Sequence, residues 1–132
     1  MSGWIGVDFD GTLATYGHWA GATHVGEPIR PMVERVKKWL ADGQEVRIFT
    51  ARVWPYTGVL RPGFAMPVPE GERGQQAFEA ACAIASWCKE HLGQVLPITC
   101  VKDYGMIELY DDRAVQVRMN TGELVGESTR GL

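Results

Sequence analysis

Asp8 and Asp10 stand two apart at the end of a short apolar run, Trp4-Ile5-Gly6-Val7, and Gly11 follows them. Alternate residues of a strand share a face, so both carboxylates can turn toward one ligand as the chain leaves a sheet. Gly11 permits a sharp turn and a close approach of backbone to that ligand. Carboxylates this close repel, so a bound cation or a raised pKa is expected. A second acidic pair, Asp111-Asp112, ends another apolar run, Met106 to Tyr110. An all-oxygen set drawn from Asp8, Asp10, Asp111 and Asp112 suits a hard cation, and Mg²⁺ fits best. Thr50 and Lys102 end two further runs. A hydroxyl donor and an ammonium there suit the oxygens of a phosphate.

These residues need a frame that brings strand ends together. Trp4 to Phe9, Val46 to Thr50, Ile98 to Val101 and Met106 to Tyr110 read as strands, and a short fifth is expected near Val115–Arg118, before a turn at Asn120-Thr121-Gly122. Pro31 opens a helix whose Met32, Val33, Val36, Trp39 and Leu40 repeat at helical spacing, with Gly43 placed to end it. A second helix is expected from about Gly74 to Leu92, capped by Gly93, with Ala77, Ala81, Ile84, Cys88 and Leu92 as its buried stripe. Strands alternating with helices predict an α/β fold: a three-layer, Rossmann-like, mostly parallel sheet with helices on both faces. In such a sheet, ligands bind beyond the carboxyl ends of the strands, where all four polar strand ends would meet. The glycine-rich Gly11–Gly26 stretch reads as a loop or small hairpin. The proline-rich Val53–Arg73 stretch reads as a lid or as a surface excursion packed back on the domain.

The run Asp8-Phe9-Asp10-Gly11-Thr12-Leu13 resembles the signature of the haloacid dehalogenase (HAD) superfamily of phosphohydrolases. Phe49-Thr50-Ala51-Arg52 resembles its second motif, Lys102 its third, and Leu109-Tyr110-Asp111-Asp112-Arg113 its fourth. The resemblance spans Trp4 to about Val117 and implies a single HAD-like domain over residues 1–132. It implies that Asp8 is a nucleophile forming an aspartyl-phosphate, and that Asp10 is the general acid and base. It implies Mg²⁺ on Asp8, the Asp10 carbonyl and Asp111, with Asp112 a ligand or its neighbour, and phosphate contacts from Thr50, Lys102 and Gly11. Asp10 disfavours dehalogenation itself, because dehalogenases of the superfamily lack it. Lys102 stands close to the fourth motif: either the intervening helix is reduced to a turn at Asp103-Tyr104-Gly105, or another lysine serves, Lys89 being nearest. Both inter-motif stretches are too short for a cap domain, so the chain resembles the capless members.

Composition narrows the partners. The net charge of −3 gives no electrostatic footprint for nucleic acid. No apolar run approaches the ~20 residues of a membrane span, and no leader segment precedes the first strand, so a cytoplasmic protein is expected. Cys82, Cys88 and Cys100 form no CxxC pair and read as reduced thiols, the first two as small buried hydrophobes. The expected substrate is a small phosphorylated metabolite or nucleotide. A phosphatase on a nucleic-acid end and a catalytically idle phospholigand-binding protein are the alternatives, and a homo-oligomer is left open. Arg52 is read either as a contact for a second anionic group of the substrate or as an ion pair. Arg113 is read as a structural salt bridge to Asp112 ahead of a substrate contact. His18 and His24 are read as ordinary surface histidines, and Trp19, Trp54 and Tyr56 as packing residues or as stacking platforms.

Overall fold

The computed structural model describes residues 2–61 and 70–127. Among these residues, six strands and two α-helices follow one another as β1 (Trp4–Val7), α1 (Arg30–Ala41), β2 (Glu45–Phe49), α2 (Gly71–Leu92), β3 (Ile98–Thr99), β4 (Met106–Tyr110), β5 (Gln116–Val117) and β6 (Leu124–Val125). One turn of 3-10 helix, Ala51–Val53, follows β2. The main sheet has the order β3-β2-β1-β4, and every pair in it is parallel. Val7 is level with Ile48 on one side and Tyr110 on the other. Parallel neighbours align their ends, so the residues leaving β1, β2 and β4 emerge side by side.

The sequence accounts for most of these elements. Pro31 sits in the first turn of α1, where its missing N–H costs nothing. Gly93 ends α2 in the left-handed conformation, φ 84°. α2 starts at Gly71, before the expected Gly74, with Glu70 as its N-cap. The expected fifth strand is one arm of an antiparallel hairpin, β5–β6, exposed to solvent. Cys88 is buried as expected, but Cys82 is exposed. It stands one position beyond Ala81 and so falls off the stripe that faces the sheet. Part of the proline-rich stretch, residues 62–69, lies outside the described residues.

The expectation of helices on both faces is corrected. β1 to β2 and β2 to β3 are crossovers stepping in the same direction, and right-handed connections of that kind put both helices on one face. Val33 and Val36 of α1 share one core with Ile84, Trp87, Cys88 and Leu92 of α2, over Ile5, Val7, Val46, Ile48 and Ile98 of the sheet. On the opposite face, the Arg47 guanidinium lies 4.5 Å from the centre of the Trp4 ring. Asp103 accepts there from Trp4 Nε1 at 2.7 Å and from Arg47 Nη1 at 3.2 Å. Among the described residues, that face carries the non-helical connection from β3 to β4 where a third layer was expected. Asp103 also accepts the Gly105 N–H at 2.8 Å, which closes the turn foreseen at Asp103-Tyr104-Gly105. No helix among the described residues is long and apolar enough to cross a membrane.

Candidate functional site

β1 lies between β2 and β4, so Asp8 is flanked by the ends of both. The Asp8 N–H donates to the Tyr110 carbonyl at 2.9 Å, one last rung of the ladder. The chain then turns: Leu13 and Ala14 both donate to the Phe9 carbonyl, at 3.0 and 2.9 Å. Gly11 sits inside this turn with φ +85°. A Cβ there would stand 2.8 Å from an Asp112 carboxylate oxygen. Glycine is thus needed twice, for the backbone conformation and for the space that Asp112 occupies.

Three of the four carboxylates expected together, those of Asp8, Asp111 and Asp112, come together. One carboxylate oxygen each from Asp8, Asp111 and Asp112 lies within 4.8 Å of the others. Asp8 is buried, Asp111 half-buried and Asp112 exposed. Burial, a hydrogen bond shared with Asp112, and the charges of Asp111 and Asp112 push the Asp8 carboxyl up to about 8. This is the raised pKa expected of crowded carboxylates without a counter-charge. An all-oxygen set with unbalanced negative charge fits a hard divalent cation, and Asp8, Asp111 and Asp112 are the residues that would hold it.

Thr12 belongs to the site and received no role from the sequence. Its hydroxyl accepts the Asp112 N–H at 3.0 Å and donates to Asp112 Oδ1 at 3.0 Å, while Asp8 Oδ2 lies 3.5 Å away. The side chain ties the β4 end to the turn after β1. The only sequence signal was its place beside Gly11 in the first motif. Thr50 is buried, and its Oγ1 accepts the Arg52 N–H at 3.2 Å. Among the described residues no acceptor takes its own O–H, which can be donated toward a ligand.

Asp10 leaves the acidic cluster. Both of its oxygens accept from Arg52, at 2.7 Å from Nε and 2.8 Å from Nη2. Arg52 also donates to the Ala22 carbonyl at 3.1 Å, and its guanidinium lies 5.1 Å from the Trp19 ring centre. Arg52 thus forms an ion pair, but a buried one where the sequence suggested the surface; it ties the Gly11–Gly26 loop to Asp10 and also lines the larger cavity described next. Lys102 is exposed and lines neither of the two cavities at the strand ends. The adjacent Asp103, tied to Trp4 at the far end of β1, draws this stretch away from the carboxyl edge. Lys89 also lines neither cavity.

A cavity of about 480 Å³ is lined by Asp8, Asp10, Tyr16, Trp19, Thr50, Arg52, Arg73, Gln76, Asp112 and Arg113. A second, of about 200 Å³, shares Asp8, Thr50 and Arg113 with it and is also lined by Phe49, Trp54, Cys100 and Asp111. Arg113 is exposed, and its backbone N–H donates to Asp111 Oδ1 at 2.8 Å. No side-chain bridge from Arg113 to Asp112 forms among the described residues. Arg73, at the start of α2, reaches the cavity wall while donating to the Ala51 and Arg52 carbonyls at 3.0 and 2.9 Å. No family model matches this chain, and neither a curated protein nor a solved structure does.

Proposed function

We propose that this chain is a magnesium-dependent phosphomonoester hydrolase of HAD type, working through an aspartyl-phosphate on Asp8. One observation carries the reading: Asp8 stands buried at the carboxyl end of the central strand, within 4.8 Å of Asp111 and Asp112, on the wall of an open cavity. Ligands of parallel α/β sheets bind at such an edge. The order of the motifs, from Asp8-Phe9-Asp10-Gly11-Thr12 through Thr50 to Asp111-Asp112, supports the family reading.

Asp8 must be ionised to attack phosphorus. Mg²⁺ bound by Asp8, Asp111 and Asp112 would supply positive charge that keeps Asp8 ionised and offsets the phosphoryl oxygens. A carboxylate oxygen of Asp8 then forms a bond to phosphorus as the bond to the leaving oxygen breaks. Asp10, protonated when it leaves Arg52, gives that proton to the leaving oxygen, and the carboxylate so formed later takes one from the water that cleaves the aspartyl-phosphate. Both Asp10 oxygens accept from Arg52, so one of those bonds must open for Asp10 to meet the reacting atoms. Thr50 donates its hydroxyl to a phosphoryl oxygen, and Arg113, on the wall of both cavities, supplies a cation beside it.

The test is hydrolysis of p-nitrophenyl phosphate with and without Mg²⁺, beside Asp8→Asn. Turnover that requires the metal and disappears in the variant is the expected result. Turnover surviving Asp8→Asn would overturn the mechanism, and no turnover of any phosphomonoester would favour a binding role.

A further inference from the structure

The two cavities meet at Asp8 but differ in one decisive residue. Asp10 lines the larger cavity and is absent from the walls of the smaller. The group that protonates the leaving oxygen stands beside the leaving alcohol, so that alcohol belongs in the larger cavity. Its walls carry two large aromatic side chains, Tyr16 and Trp19, each 51% exposed. Half-exposed rings on a cavity wall gain burial when a flat apolar group lies against them. One face of Trp19 is already covered by Arg52. α2 contributes Gln76 to the same lining, and its amide offers both donors and an acceptor.

The loop that carries the two rings is held in place. Thr15 donates its N–H to the Glu27 carbonyl at 2.8 Å, and its hydroxyl accepts the Glu27 N–H at 3.1 Å. Trp87 Nε1 donates to the Gly26 carbonyl at 2.9 Å, and Arg52 to Ala22 at 3.1 Å. A platform fixed before the ligand arrives loses little entropy on binding.

We infer that the larger cavity takes a nucleoside phosphomonoester, with the base stacked on Trp19 beside Tyr16 and its polar edge met by Gln76. This rests on the phosphohydrolase reading for the reaction, but the binding preference is independent of turnover. A cavity of about 480 Å³ falls within the range of small-molecule sites, and base stacking on an aromatic ring is strong enough to direct choice between substrates.

The test compares the four common nucleoside 5′-monophosphates, ribose 5-phosphate and a 5′-phosphorylated oligonucleotide, by kcat/KM and by calorimetric binding to the Asp8→Asn protein. At least one nucleotide should exceed ribose 5-phosphate by about 10- to 100-fold. That ratio should collapse toward one in Trp19→Ala and persist in Trp19→Phe, which keeps a ring. A preference for the oligonucleotide over free nucleotides would assign the same site to a strand end. Ribose 5-phosphate matching every nucleotide, or a preference that survives Trp19→Ala, would overturn the inference. If no phosphomonoester turns over, the reaction reading fails, and the binding ratio still decides this one.

Discussion

Asp8 carries the largest electrostatic strain in the site. Its carboxyl is raised from 3.8 to about 8 by burial and by its two acidic neighbours. The folded, metal-free chain therefore holds this proton more tightly than the unfolded chain does. Stability from this group is complete below about pH 4 and is lost as the pH rises through about 8. Thermal melts in chelator across that window should show wild type losing stability relative to Asp8→Asn as the pH rises. A constant difference would contradict the shift. Gly11 offers a second prediction at this scale. Gly11→Ala places a Cβ in the left-handed region and 2.8 Å from the Asp112 carboxylate. It should cost about 1–2 kcal/mol in denaturant unfolding, and Mg²⁺ titration should show weaker binding because Asp112 is displaced.

At the scale of elements, the Gly11–Gly26 loop and the turn after β2 are joined through Arg52. Its guanidinium bridges the two oxygens of Asp10, the Ala22 carbonyl and the Trp19 ring. A lysine keeps the charge but cannot reproduce the planar fork. Arg52→Lys should therefore loosen the loop, read as faster amide exchange over residues 16–26. It should also lower kcat by about tenfold or more through a misplaced Asp10. Unchanged exchange would mean that the bonds from Thr15 and Trp87 hold the loop without Arg52. The β3 to β4 connection carries the opposite expectation. Because Asp103 is anchored to Trp4 and Arg47, Lys102→Ala should reduce kcat/KM less than Arg113→Ala, whose side chain lines both cavities.

At the scale of the molecule, the acidic cluster and the fold are linked by mass action. A cation held by Asp8, Asp111 and Asp112 would join the ends of β1 and β4, which the native chain alone brings together. Mg²⁺ at about 100 times its dissociation constant should stabilise the protein by about 2.7 kcal/mol. The gain in melting temperature should vanish in chelator and shrink in Asp111→Asn. Equal stabilisation by Mg²⁺ in that variant would place the ion elsewhere. Both helices pack on one face of the sheet, so such a cross-link would act at the rim of a two-layer core.

The sequence alone determined the four strands of the main sheet, both helices and the order of the acidic groups along them, but not β6. Apolar period, Pro31 and Gly93 are local signals, and they act on backbone that lies next to them in the chain. It also determined that Asp8 and Asp111-Asp112 stand at strand ends, and a parallel sheet needs nothing further to gather those ends at one edge. Tertiary structure decided what depends on distance across the sheet. It paired Asp10 with Arg52, set Thr12 against Asp112, and anchored Asp103, beside the exposed Lys102, to Trp4. It placed both helices on one face, because crossover direction follows from strand order, which no run of residues states. Trp19 and Tyr16 show the division most plainly. Their types were legible as aromatic, but only the folded loop exposes them on the cavity that Asp8 and Asp10 share.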